Sequence, residues 1–444
     1  MEPKRNPAAS ISFFFIFLSA IFTLHFLIPR HDSFTLGIVY SIAFFTYIWI
    51  CEIDRPTWKT ILIIGIIGRL LLVHGLPGLS DDFYRFIWDG QLLNAHLSPY
   101  AFTPAEINDK QFFNQQSQVF ELLNSPNYFS VYTPLHQLIF YLASSVSSEL
   151  SHQVIIMRLF FLSADVGAFF LLLGLLPSKQ THWIGWLFLN PLWMLEGVGN
   201  LHIEGILIAM LLAMSFMLRL KRIDFAGVWM GIMIGIKLLP LILLPTLAWR
   251  YRWSKGLLFT GIALGVGLLF LAPWIYDGHY HNILTSLSLY QRKFEFNASI
   301  YYVLREIGFW YKGYNIIGTL GPALSKITAV FILFIAIGGD LKKRSVYELM
   351  LWSWTAYLLL STTIHPWYIL PLLPLGLLSG YFYPFLWSFT IFFSYFGYTV
   401  SGYQTPNLWI FLEYLTLYSF IIYEINQKFM DHSFRVHVKH KLFQ

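Results

Sequence analysis

The sequence predicts an all-α polytopic membrane protein, and three observations carry that prediction. Of 444 residues, 57% are hydrophobic and only 12% are charged, about half the charge of an ordinary soluble chain. Apolar stretches of about 20 residues, the length that crosses a bilayer core, recur from one end of the chain to the other. The basic residues gather beside those stretches, where orientation in a membrane requires them. The formal charge of +6 therefore speaks for topology and against a nucleic-acid partner. One cysteine, Cys51, excludes an internal disulfide and a cysteine-based metal site.

Taken in order, Lys4 and Arg5 precede an apolar run from Ile11 to Pro29. The run is too long for a signal-peptide core and lacks a small-x-small cleavage site, so it reads as the first retained helix. Further candidate spans are 34–51, 60–78, 132–148, 154–176, 182–198, 203–219, 225–248, 256–273, 315–338, 346–363, 366–380, 383–400 and 407–425. Several are short or broken, which leaves about 12–14 transmembrane helices in a single domain covering 1–444.

With Lys4 and Arg5 in the cytoplasm, Asp54, Arg55 and Lys59 also fall inside, and the loop carrying Asp81 and Asp82 falls outside. Arg250, Arg252 and Lys255 come out inside, as do Lys342, Lys343 and Arg344. The basic tail over 426–444, with Lys428, Arg435, Lys439 and Lys441, follows them, so both termini are cytoplasmic. Arg219, Lys221 and Arg222 dissent. Either the positive-inside tendency fails there, or a Pro-interrupted segment around Pro191 or Pro240 is re-entrant.

Two long extracytoplasmic loops result, 80–131 and 274–314, both mixing aromatics with charges at helix-like spacing. Phe83, Phe86, Ile87 and Gln91 share one helical face, with Tyr84, Arg85 and Asp89 on the others, as in helices lying in the head-group plane.

The first loop opens Ser80-Asp81-Asp82-Phe83-Tyr84-Arg85-Phe86-Ile87-Trp88-Asp89-Gly90. Two adjacent carboxylates held just beyond an apolar span suit a general base facing a hydroxyl nucleophile. They equally suit a helix cap, with Ser80 or Asp81 capping and the acids complementing the dipole. Arg85 and Asp89, four apart, suit a surface ion pair, while an arginine beside the two acids can also orient a carboxylate or grip a phosphate. His365, in the turn-like Ile364-His365-Pro366-Trp367-Tyr368, is either an interfacial residue or a phosphate contact. The apolar hairpin after Asn190-Pro191 carries Glu196, His202 and Glu204, costly ionisable groups that need partners at membrane depth. They pair with one another or with Lys237, in mid-span. Arg158 and Asp165, two turns apart, read as an internal structural pair. Gly-rich phosphate loops, His-x-x-x-His zinc patterns and Ser-His-Asp arrangements are not found in the sequence. No metal ligand set is legible and no cofactor is identified, which leaves a divalent-metal requirement open.

These motifs resemble those of the bacterial polyprenyl-phosphate-mannose-dependent mannosyltransferases, within the GT-C superfamily of membrane glycosyltransferases. The likeness rests on Asp82-Phe83-Tyr84-Arg85 through Trp88-Asp89-Gly90 and on Ser98-Pro99-Tyr100. Tyr132-Thr133-Pro134, the Asn190-Pro191…Glu196…His202-Ile203-Glu204 hairpin and His365-Pro366-Trp367-Tyr368 follow in the family's order, so the likeness covers about 60–380. The resemblance implies a GT-C-like helical arrangement in the bacterial cytoplasmic membrane. It also implies a polyprenyl-phosphate sugar as donor, a lipid-linked or glycan acceptor, and inverting transfer of a hexose, mannose favoured, on the non-cytoplasmic face. Asp82 aligns with the family's base and Asp81 is its neighbour. Arg85, Asp89, Tyr132, Glu196, His202, Glu204, Lys237, His365 and Tyr368 become substrate-binding candidates. The sequence departs from the family's pattern in several places: the motif follows the third span, not the first, Phe86 and Ser98 replace Tyr and Asn, and Glu204 stands where relatives often have Asp.

Two rival readings are a transporter or flippase for a lipid-linked saccharide, which also uses broken helices, and an O-antigen-type polymerase or ligase. Against the first, the chain shows no inverted repeat, and its polar features concentrate in the outer loops.

Overall fold

The computed structural model describes residues 7–109 and 117–430. Lys4, Arg5, Arg435, Lys439 and Lys441, used above to orient the chain, lie outside the described residues. The protein is an all-α multi-pass membrane protein. Among the described residues, six helices are long and apolar enough to cross a bilayer: Pro7–Phe26 (α1), Ser33–Asp54, Leu150–Leu175, Trp253–Tyr276, Ile317–Leu341 and Asn407–Lys428. The Ser33–Asp54 stretch is an α-helix over Ser33–Trp49 (α2) that widens into a π-turn over Ile50–Asp54.

Other expected crossings are shorter or broken, so the 12–14 spans are not all continuous helices. Trp58–Leu71 (α3) and Ile223–Ile236 have 14 residues each and Pro134–Val146 has 13. At 1.5 Å per residue these cover about 20 Å of a core about 30 Å thick. The segments expected at 182–198 and 203–219 contribute the helices Pro191–Gly199 and Glu204–Arg219, which meet at a bend of 111° and pass as a span only together. Asn190 and Pro191 start that break. The Asn190 side chain accepts from Trp193 N at 3.2 Å, and Pro191 fills the first helical position, which needs no N–H. The segment at 383–400 ends in 3₁₀ turns and a hairpin pairing Tyr398–Thr399 with Gly402–Tyr403.

The chain forms two compact units. The first comprises Met1–Leu79, Phe161–Lys221 and His365–Gln444, and the second Ser80–Phe160 and Arg222–Ile364. In the first unit, Arg69 on α3 is fully buried and its Nε donates to Asp165 Oδ2 at 2.6 Å. The expected pairing of Asp165 with Arg158 is therefore corrected. Arg69 Nη1 also donates to the carbonyls of Phe188 and Gly65, at 2.9 and 3.2 Å, and its guanidinium lies 4.1 Å from the Phe188 ring. Tyr40 on α2 stacks on Phe392 at 3.7 Å and donates to Ser388 O at 2.5 Å.

In the second unit, the Ile223–Ile236 helix carries Gly227, Gly231 and Gly235 at four-residue spacing. A Cβ at Gly231 would lie 2.6 Å from Val266 Cβ, and one at Gly235 would lie 2.6 Å from Phe270 Cβ. The Trp253–Tyr276 helix thus meets the backbone directly, as small-residue stripes allow in lipid. The helix Asp82–Asn94 (α4) packs on Pro134–Val146, with Phe86 stacked on Phe140 at 4.6 Å. A Cβ on Gly90 would sit 2.5 Å from Phe140 O.

Candidate active site

The site is built on α4. Asp81 occupies the N-cap position but makes no capping hydrogen bond with its side chain. The cap comes from one residue earlier: Ser80 Oγ accepts from Asp82 N at 3.3 Å. Asp82 is the first helical residue, and its Oδ1 accepts from Asn124 Nδ2 at 2.8 Å. The carboxylate stands in the first turn of the helix, at the positive end of its dipole. Both aspartates are half-buried. Tyr84 follows, and burial together with the nearby Asp81 carboxylate raises its phenol above the usual range.

Behind this edge, α4 is held by a buried polar clamp. Arg85 and Asp89 were placed by periodicity on the polar faces, yet they are 3% and 0% exposed. Arg85 Nε donates to Asp89 Oδ1 at 2.7 Å, and Nη1 donates to the carbonyls of Tyr128 and Ser125 at 2.9 and 3.2 Å. Asp89 Oδ2 accepts from Ser130 Oγ at 2.5 Å and from Gln137 Nε2 at 2.7 Å. The pair is thus an internal structural one, fastening the 124–130 segment to α4 and so bringing Asn124 to Asp82.

The downstream motifs join the same unit. Tyr100 donates to Tyr132 O at 2.8 Å and meets Trp274 edge-on. Ser98 Oγ donates to Asp277, and Asn282 Nδ2 donates to Tyr100 O at 3.0 Å, so the second long loop is tied to the first. Tyr132 meets Phe86 edge-on, a packing position. Thr133 Oγ1 donates at 2.8 Å to the carbonyl of Ile236, where the helix breaks, and Lys237 follows in extended backbone. Among the described residues, no three His, Cys, Asp or Glu side chains cluster to hold a metal.

The first unit holds the remaining candidates. Glu196, His202 and Glu204 are all buried. Glu196 Oε2 bonds His202 Nδ1 at 2.9 Å and Asn200 Nδ2 at 3.2 Å, while its Oε1 accepts from Tyr395 at 2.5 Å. His202 stacks on Trp367 at 3.5 Å, and His365 stacks on Trp367 at 4.5 Å. Tyr368 closes edge-on over His365. The structure thus gathers Glu196, His202, His365 and Tyr368 around Trp367. Glu204 lies in the first turn of the Glu204–Arg219 helix. Asn124, Gln137, Tyr395 and Trp367 were not singled out from the sequence. Trp367 was at least signalled by its neighbours, whereas Asn124 carries no spacing signal.

The structure is that of a multi-pass membrane protein with two adjacent carboxylates at the start of α4. Residues 34–252 match the family model described as alpha-(1->6)-mannopyranosyltransferase, N-terminal domain. That match, over just under half of the chain, supports a glycosyltransferase of the mannosyltransferase type. No curated protein and no solved structure matches the chain.

Proposed function

We propose that the protein is a GT-C-type inverting mannosyltransferase that moves a sugar from a polyprenyl-phosphate donor to a lipid-linked or glycan acceptor on the non-cytoplasmic face. The observation that carries this reading is Asp82, a half-buried carboxylate oriented by Asn124 on a helix that a buried clamp holds in place. A polyprenyl phosphate is already a good leaving group, so no general acid is needed. What remains is to activate the acceptor hydroxyl, and Asp82 takes its proton, a contribution of about 10²–10⁴-fold. Asp81 adds negative potential at the same edge. Arg85 supports the chemistry indirectly, its Nε donating to Asp89 and its Nη1 to the carbonyls of Ser125 and Tyr128.

His365, stacked on Trp367, presents an imidazole and an aromatic face of the kind that contacts a sugar phosphate, and this is its proposed role. In that role, cationic or hydrogen-bonding groups stabilise the charge developing on the departing phosphate.

The test uses membranes containing wild type or Asp82→Asn, given labelled polyprenyl-phosphate mannose or glucose. Wild type is expected to label an acceptor with mannose, and the variant to lose at least a hundredfold. Normal transfer by Asp82→Asn sinks the base assignment. If wild type transfers neither sugar but vesicles accumulate a solute, the transporter reading replaces this one. His365→Ala is expected to raise the donor KM more than the acceptor KM.

A further inference from the structure

In the first unit, the turn between α1 and α2 carries Arg30 and His31. Both flanking helices are long and apolar enough to span, so this turn lies at the end of a membrane-crossing pair, the depth at which lipid head groups sit. Against it packs the hairpin of Tyr398–Thr399 and Gly402–Tyr403. Between turn and hairpin is a cavity of about 490 Å³, lined by Arg30, His31, Gly78, Tyr398, Val400 and Tyr403 among others. That volume falls within the usual range for small-molecule sites, about 300–1,000 Å³.

The walls are fixed. Gly402 has φ +115°, a conformation that residues with a side chain rarely adopt, and Thr399 Oγ1 donates to its carbonyl at 2.7 Å. Gln404 N closes the base of the hairpin onto Gly397 O at 2.8 Å. The Arg30 guanidinium lies 4.4 Å from the Tyr398 ring centre, so the ring holds its face while the N–H donors lie in its plane. One of them, on Nη1, reaches Leu79 O at 3.4 Å. The neighbouring acid Asp32 is turned to cap α2, accepting from Thr35 N at 3.2 Å. Val400, in the lining, is an apolar side chain 88% exposed, and Leu27 and Phe34, near Arg30 in the sequence, are 65% and 77% exposed.

We propose that this cavity binds the phosphate of a lipid head group. Arg30 supplies charge-assisted hydrogen bonds to the phosphate, Tyr398 and Tyr403 flank the head group, and the acyl or prenyl chain leaves over Val400. A cation, two phenols and an apolar rim at interfacial depth form the combination that a phosphate ester on a lipid requires. The inference goes beyond the transfer reading, because it concerns a different part of the chain and does not depend on which sugar moves. Two sources share this chemistry, an anionic membrane phospholipid and a prenyl phosphate.

The experiment measures binding to the full chain in phosphatidylcholine nanodiscs by equilibrium dialysis. The probes are radiolabelled farnesyl phosphate and a short-chain phosphatidylglycerol, with neutral farnesol as control. Wild type is expected to saturate with at least one phosphate lipid and not with farnesol. Arg30→Gln and Val400→Trp should each weaken that binding at least tenfold. Val400→Trp fills the opening from an exposed position, so it tests the cavity even if Arg30→Gln fails to fold. Binding of farnesyl phosphate alone makes a prenyl phosphate the occupant, and binding of phosphatidylglycerol alone makes it a membrane phospholipid. The proposal is overturned if neither lipid saturates wild type, or if Val400→Trp binds both as wild type does.

Discussion

Arg85 and Asp89 are joined at 2.7 Å inside the protein, one helical turn apart, and the same arginine holds the carbonyls of Ser125 and Tyr128. The pair therefore fixes a loop as well as a helix. Removing one member leaves a buried charge without its partner, a loss of about 3–5 kcal/mol. Arg85→Ala and Asp89→Ala should each lower the thermal unfolding midpoint of the detergent-solubilised protein. The double variant should lose clearly less than the sum of the two. Additive losses would show that the two residues do not act as a pair.

Asn124 reaches Asp82 because that clamp places it there. Its hydrogen bond orients the carboxylate and is worth about 1–1.5 kcal/mol, equivalent to about tenfold in rate. Asn124→Ala should lower kcat for mannosyl transfer about tenfold, with unfolding unchanged and the donor KM nearly so. An unaltered kcat would remove Asn124 from the site.

Arg69 and Asp165 are both fully buried, and Arg69 uses separate nitrogens for the carboxylate and for the Phe188 carbonyl. A lysine is a single point donor and cannot reproduce that fork. Arg69→Lys should therefore destabilise the protein nearly as much as Arg69→Met, read as the loss of folded protein after heating in detergent. Full stability of Arg69→Lys would show that charge alone suffices.

Gly231 lets the Trp253–Tyr276 helix approach to contact distance. A leucine side chain there would have to push Val266 aside, and overpacking of this kind costs about 1–3 kcal/mol or more. Gly231→Leu should lower the unfolding midpoint markedly. Gly261→Leu, where a Cβ meets no atom within 4 Å, should not.

Tyr395 donates to Glu196, which in turn holds His202. Tyr395→Phe removes one donor from a fully buried carboxylate, a loss of about 1–3 kcal/mol. The expected result is a lower unfolding midpoint, with a nitrogen chemical-shift change at His202 by NMR. An unchanged His202 resonance would break the proposed chain of contacts.

Particular residues show how far the sequence could be read. Low charge and repeated apolar stretches were enough to place the chain in a membrane. The Asp82–Gly90 stretch, with periodic aromatics after two acids, was enough to locate a helix and its carboxylate edge. Periodicity misjudged Arg85 and Asp89, because it assigns faces without knowing what covers them. The segment 124–130 comes back over the polar face of α4 and buries it, and nothing local in the sequence announces that return. The Arg158–Asp165 reading failed for a related reason. A seven-residue spacing suggests a partner on the same helix, whereas the acid found its cation on α3, almost a hundred positions earlier. The stripe of Gly227, Gly231 and Gly235 was legible as a close-packing signal and went unread.

The sequence by itself determined membrane residence and the helical class, and it singled out the Asp82–Gly90 stretch as the candidate motif. These follow from composition, period and short-range spacing, which are local properties. Only the tertiary structure decided that the Asp82 carboxylate is held by Asn124 and that Tyr395 reaches Glu196. Those contacts join residues from about forty to about two hundred positions apart. Their formation depends on where packed helices return the chain, which no local pattern encodes.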